Sequence, residues 1–173
     1  MLRGFDPILA VTLAPEDAFE LWQIPLFILL GVLCGLMAWY FTSMNSRVGG
    51  FFKGIDRQWK KWMWGGAILG VLIFIFPPLY GEGYEGFTAL MHGNTQVLFD
   101  NSLFYRFRDI DWVVILFIIA TMFFKVIAMA STNAAGGVGG TFAPSLFVGA
   151  FTGATLALVC NMLFQWDVSV VSF

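Results

Sequence analysis

Long apolar runs separated by short polar stretches set the pattern of this 173-residue chain. Four of the runs have the length that predicts a helix crossing or entering a membrane. The first, "LWQIPLFILLGVLCGLMAWYFTSM" at 21–44, holds about twenty uncharged residues with aromatics near its ends, which suits a ~30 Å hydrocarbon core. The second, "WMWGGAILGVLIFIFPPL", covers about 62–79, and its Pro77-Pro78 pair should stop the helix. The third, "WVVILFIIATMFFKVIAMAS" at 112–131, contains a single charge, Lys125. The fourth begins near Phe142 and continues to about Phe164.

The segment between the second and third runs is of another kind. It passes through turn-rich "LYGEGYEG", then "FTALMHG", then "NTQVLFDNSLFYRFRDID". Its apolar part is too short to span, so a short or re-entrant helix at about 84–92 followed by an aqueous loop is expected. Residues 1–20 read as a linker on the extracellular side, without the apolar core of a secretory signal, and 166–173 as a truncated loop.

Charge gives the runs an orientation. After the first run, Arg47, Lys53, Arg57, Lys60 and Lys61 stand against Asp56, a net of +4. Between Pro77 and Asp111 there are Glu82, Glu85, Asp100, Asp109 and Asp111 against Arg106 and Arg108, a net of −3. The leading segment is also acidic, through Asp6, Glu16, Asp17 and Glu20 against Arg3. The positive-inside rule therefore places the first connection in the cytoplasm and the other two outside. Small residues recur at four-residue spacing, Gly31 and Gly35, Gly66 and Gly70, Gly149 and Gly153, which predicts close helix packing in lipid.

Composition agrees with a multi-pass membrane chain. It is 59% hydrophobic and only 12% charged, with a mean hydropathy of +0.81, outside the range of soluble domains. A net charge of −2 argues against nucleic acid as a partner. Cys34 and Cys160 lie in apolar runs and read as small hydrophobes, and a lone histidine, His92, cannot assemble a zinc site. No cofactor is expected. Nor is an enzyme, because no nucleophile or histidine accompanies Glu82 and Glu85, which read as helix-capping or solvent-facing groups. Trp59, Trp62 and Trp64 beside Lys60 and Lys61 have the composition of an interfacial anchor. Lys125 reads in two ways: a structural lysine bonded to backbone carbonyls, which is favoured, or a pore-facing cation that concentrates anions.

One stretch asks for more than lipid spanning. "GGVGGTFAP", residues 136–144, breaks the chain between the third and fourth runs. Pro144 suits the first turn of the next helix, where its missing N–H costs nothing. The amides of Gly140, Thr141, Phe142 and Ala143 then fall at or just before a helix N-terminus, where they have no intrahelical partner. The helix dipole adds partial positive charge. Partial charges of this kind replace an anion's hydration and still let it leave, and glycine admits the ion closely. The alternative is a glycine loop that only links two packed helices.

"GGTFAP" after "TNAAGGV", followed by Gly149 and Gly153, resembles the G-x-F-x-P motif of the CLC chloride channel and chloride/proton antiporter family, and "PPLYGEGYE" is similar to the Gly-rich turn these proteins carry before a short helix. The resemblance covers about 21–164 and matches helices J to N, the first part of the second inverted repeat. It implies an all-α, multi-pass bundle with discontinuous helices in the inner cell membrane. It also implies that the amides of Thr141 and Phe142 help coordinate chloride, with Gly140, Ala143 and Pro144 shaping the helix start. Homodimers, each subunit with its own pore, are the family's assembly. The implied partners are thus chloride, membrane lipid, a second copy, and the first-repeat half of the same protein, which carries the family's G-S-G-I-P and G-R-E-G-P motifs. Neither motif is in this sequence, nor is the coordinating tyrosine of a later helix. Channel and antiporter are therefore not separated, and the chain is not expected to conduct alone. The competing expectation is a non-transporting packing module.

Overall fold

The computed structural model describes residues 23–81, 98–99, 102, 104–107 and 110–164. The expected linker at 1–20, the short helix at 84–92 and the loop at 166–173 lie outside the described residues, as do Glu82, Glu85 and His92. Among the described residues the chain is helical and without strands, in agreement with the all-α expectation. Four helices make the body: α1 (Ile24–Lys53), α2 (Gln58–Ile75), α3 (Asp111–Ala134) and α4 (Phe142–Phe164). Two short 3-10 turns, Pro77–Leu79 and Tyr105–Phe107, lie between α2 and α3.

Helix α1 has Pro25 in its first turn and runs well beyond Met44, for 30 residues. At 1.5 Å per residue that is about 45 Å, longer than the apolar layer. The apolar pattern alone ends it too early, because the extra turns are held by tertiary contact. Phe52 is 1% exposed, and its ring lies 3.8 Å from where a side chain on Gly65 of α2 would begin. Arg47 and Lys53 therefore sit on a helix and not in a loop, and Lys53 in the last turn complements the dipole. The true connection is only residues 54–57, closed by the Gly54 amide donating to the Phe51 carbonyl and the Ile55 amide to that of Phe52.

Helix α2 starts earlier than its apolar run, at Gln58, and ends at Ile75. Pro77 forces Phe76 out of the helical region (φ −124°, ψ 83°), and the two prolines continue as a 3-10 turn. With Lys60 and Lys61 in its first turn, α2 is 18 residues long, and only its later part is apolar. Helices α1, α3 and α4 are long and apolar enough to cross a membrane. Helix α2 is not among them, and Gly65 is its one buried residue.

Helix α3 is the centre of the bundle and packs against α1, α2 and α4. Its inward side chains Phe117, Ile118, Met122 and Val126 join Phe76 from the end of α2 and Phe147 and Phe151 from α4. The rings of Phe76 and Phe117 lie 5.3 Å apart and those of Phe147 and Phe151 3.8 Å apart. Tyr40 ties α1 to α3: its hydroxyl donates to the Phe123 carbonyl at 3.2 Å, and its ring meets that of Phe123 edge-on at 4.8 Å. The buried Thr152 hydroxyl donates to the Val148 carbonyl of its own helix at 2.7 Å, while the buried hydroxyls of Thr121 and Ser131 meet no partner among the described residues.

Among the described residues five of the six paired glycines face open space, and the sixth, Gly153, is buried. Gly31, Gly35, Gly66, Gly70 and Gly149 all have open space where a side chain would begin. On α1 the inward line runs through Leu26, Met37 and Phe52, while Gly31 and Gly35 share the exposed side with Ile28, Val32 and Leu36. The close approach in this chain is made instead by Gly65, where a Cβ would lie 2.5 Å from that of Ala135. Gly65 is buried and has no counterpart at four-residue spacing in the pattern.

Candidate anion site

The site is built from the end of α3. The Ala135 amide donates to the Ser131 carbonyl at 2.9 Å, Gly136 to Asn133 at 3.1 Å and Gly137 to Thr132 at 2.9 Å. With Gly136 at φ +97°, this is a Schellman end: a left-handed residue after the last turn reverses the chain and satisfies the helix's final carbonyls. Gly136 must be glycine there, since other L-residues are strained at that angle. The chain then runs without regular structure from Gly137 to Gly140, folded back on Thr132 and Asn133.

Helix α4 starts at Phe142, and the Thr141 carbonyl accepts its first helical bond, from Ser145 at 3.0 Å. Pro144 lies in the first turn. Among the described residues the amides of Gly140, Thr141, Phe142 and Ala143 meet no acceptor. These are the orphan donors that a helix start leaves, and the dipole of a 23-residue helix points its positive end at them. Gly140, Thr141 and Phe142 are exposed, while Ala143 and Pro144 are half-buried.

A cavity of about 580 Å³ opens beside this helix start, and Gly140, Phe142, Ala143 and Pro144 all lie on its wall. Thr141 does not. The opposite wall comes from α3 and from the turn after α2, through Lys125, Leu79 and Gly81. Among the described residues Lys125 is the one charged side chain lining it. Its ammonium donates to the carbonyls of Gly81 at 2.8 Å and Leu79 at 3.2 Å, and sits 5.1 Å from the centre of the Phe147 ring. The residue is 4% exposed. The structural role is thus real: Lys125 satisfies two backbone carbonyls of the turn after α2. The same side chain also contributes a positive charge to the wall of the cavity. Chemically the arrangement offers unpaired N–H donors to a small anion, with no carboxylate among the described residues of the wall.

The glycines of the motif divide into two kinds. A Cβ on Gly136 would come within 2.7 Å of Gln58 Nε2, one on Gly137 within 2.8 Å of Thr132, and one on Gly139 within 2.7 Å of Asn133. Gly137 is crowded by backbone and Gly136 is held by its positive φ, whereas at Gly139 only the end of the Asn133 side chain would have to move. A Cβ on Gly140 would meet nothing nearer than the backbone nitrogen of Phe142, at 4.0 Å. The contacts of Gln58, Trp62 and Gly65 with this loop were not legible in sequence. Gln58 stands in a basic, Trp-rich stretch that reads as an interfacial face, and no local signal points it inward.

The family model described as voltage gated chloride channel matches residues 1–173. A chloride channel protein CLC-e of Arabidopsis thaliana is 31% identical over 137 residues, covering 76% of this chain and 17% of that protein. A ClcB-like protein of Ralstonia nicotianae is 26% identical over 155 residues, covering 88% of this chain and 32% of its own length. The chain thus spans a third or less of the length of these curated relatives. No solved structure matches it. An integral membrane chain with this match across all its residues belongs to the voltage gated chloride channel family.

Proposed function

We propose that this chain is the ion-coordinating part of the second repeat in a protein that moves chloride across the inner cell membrane. Chloride is held by the amides at the start of α4, with Thr141 and Phe142 as donors and Gly140, Ala143 and Pro144 shaping the approach. A first-repeat half of the same protein completes the pore, and the whole assembles as a homodimer in lipid. Passive conduction and proton-coupled exchange both use such a site.

The observation that carries this reading is the contrast at Gly140. Among its neighbours, Gly136 is fixed as glycine by its positive φ and Gly137 by the backbone of Thr132, while a Cβ on Gly139 would meet only the end of the Asn133 side chain. Gly140 has room, and a side chain there would stand over the Phe142 amide. Glycine at that position serves access to the N–H group more than it serves the fold. The constraints at Gly136 and Gly137 favour the packing-module reading for that part of the loop alone.

The test is chloride flux through liposomes holding the full-length protein, wild type against Gly140→Ala and Gly140→Leu. A charge-assisted hydrogen bond contributes about 1.5–3 kcal/mol, so obstructing one weakens the site by tenfold or more. The expected result is a higher half-saturating chloride concentration with Ala, near loss of flux with Leu, and unchanged thermal stability with Ala. Wild-type flux in Gly140→Leu would leave the loop as packing alone.

A further inference from the structure

The glycine run that presents the amides is held from both sides, and only one hold belongs to the run's own helix. On the α3 side the Schellman bonds to Thr132 and Asn133 come with the helix end itself. On the other side α2 has moulded its first two turns to the same corner. Gln58 Nε2 donates to the Ala135 carbonyl at 3.0 Å. The indole Nε1 of Trp62 lies 3.5 Å, and Gln58 Nε2 2.7 Å, from where a Cβ on Gly136 would be. Two turns along from Gln58, Gly65 lets Ala135 approach to near contact.

We infer that Gln58 is a positioning residue for the anion site, fixing through the Ala135 carbonyl the point from which the amide run departs. The inference rests on the reading of Gly140–Pro144 as that site. Its physical basis is the permissiveness of the run. Glycines impose little path of their own, so the course of Gly137–Gly140 is decided by what holds its two ends. The far end is the first turn of α4. The near end is the Ala135–Gly136 peptide, and Gln58 is the side chain that bonds it from another helix. Without that donor the peptide keeps only its Schellman bond from the Gly136 amide to the Asn133 carbonyl, so its plane is held from one side alone and the amides of Gly140 to Phe142 shift relative to one another. Charge plays no part in this role, since Gln58 is neutral and acts through one N–H.

The experiment uses the full-length protein in liposomes with Gln58→Met, which keeps the length and removes the donor, and Gln58→Lys, which keeps an N–H donor at similar reach. Half-saturating chloride concentration and the ratio of chloride to nitrate flux are measured for each, with thermal stability alongside. Both flux readouts concern only folded, inserted protein, so a residue that merely stabilises α2 would not move them. Gln58→Met is expected to raise the half-saturating concentration roughly three- to tenfold and to change the chloride to nitrate ratio; Gln58→Lys restores both towards wild type. If Gln58→Met leaves both readouts at wild type while Gly140→Leu abolishes flux, the positioning role is wrong and the anion site stands. If Gly140→Leu also conducts normally, the anion site itself falls and the inference with it.

Discussion

Lys125, in the middle of α3, donates to the carbonyl of Gly81 at 2.8 Å and so fastens the turn that follows α2 to the centre of the bundle. The bond exists because the Pro77-Pro78 stop strips that turn of helical partners, leaving carbonyls at Leu79 and Gly81 that a membrane protein must satisfy internally. Replacing Lys125 by Met keeps much of the stem's volume and removes the donors. Each carbonyl so orphaned costs about 1–3 kcal/mol. Thermal unfolding of the full-length protein in detergent is expected several degrees lower for Lys125→Met. Lys125→Arg recovers part of the loss, since its fork carries donors but needs more room. An unchanged midpoint in Lys125→Met would mean that the two carbonyls find other donors.

Gly65 and Gly66 are neighbours in sequence with opposite surroundings. A Cβ at Gly65 would lie 2.5 Å from that of Ala135, and one at Gly66 meets nothing within 4 Å. Gly65→Ala must push α2 from α3, an overpacking cost of about 1–3 kcal/mol. Gly66→Ala replaces a poor helix former by a good one in open space and is expected to be neutral or mildly stabilising. Parallel melts of the two variants check this, and equal midpoints would contradict the α2–α3 contact.

Gly136→Ala is expected to be damaging twice. At φ +97° the alanine is strained by about 1–2 kcal/mol, and its Cβ would drive Gln58 off the Ala135 carbonyl. Stability and transport should fall together. Gly140→Ala, four residues on, is expected to affect transport alone. Measuring both properties for both variants separates a glycine needed for the turn from one needed for the ion.

Much of this was written locally. The apolar runs marked α1, α3 and α4, Pro77-Pro78 marked the end of α2, and the glycines before Pro144 marked the break between α3 and α4. Lys125 announced itself as the lone charge in a span, and its bonding to backbone carbonyls was the favoured expectation. Helix starts, stops and orphan amides depend on residues within about a turn of one another, so a linear pattern carries them.

What the sequence by itself determined, then, is a chain of apolar helices interrupted by a glycine-rich start to α4. Only tertiary structure decided that α1 continues to Lys53, because Phe52 is buried near Gly65. It decided that Gly31, Gly35, Gly66, Gly70 and Gly149 face open space while Gly65 makes the close contact. It decided also that Gln58, in a stretch that looks interfacial, bonds a carbonyl 77 positions away. Each of these turns on which surface meets which across the bundle. That choice is fixed by the fit of whole helices, and no pattern of neighbours along the chain encodes it.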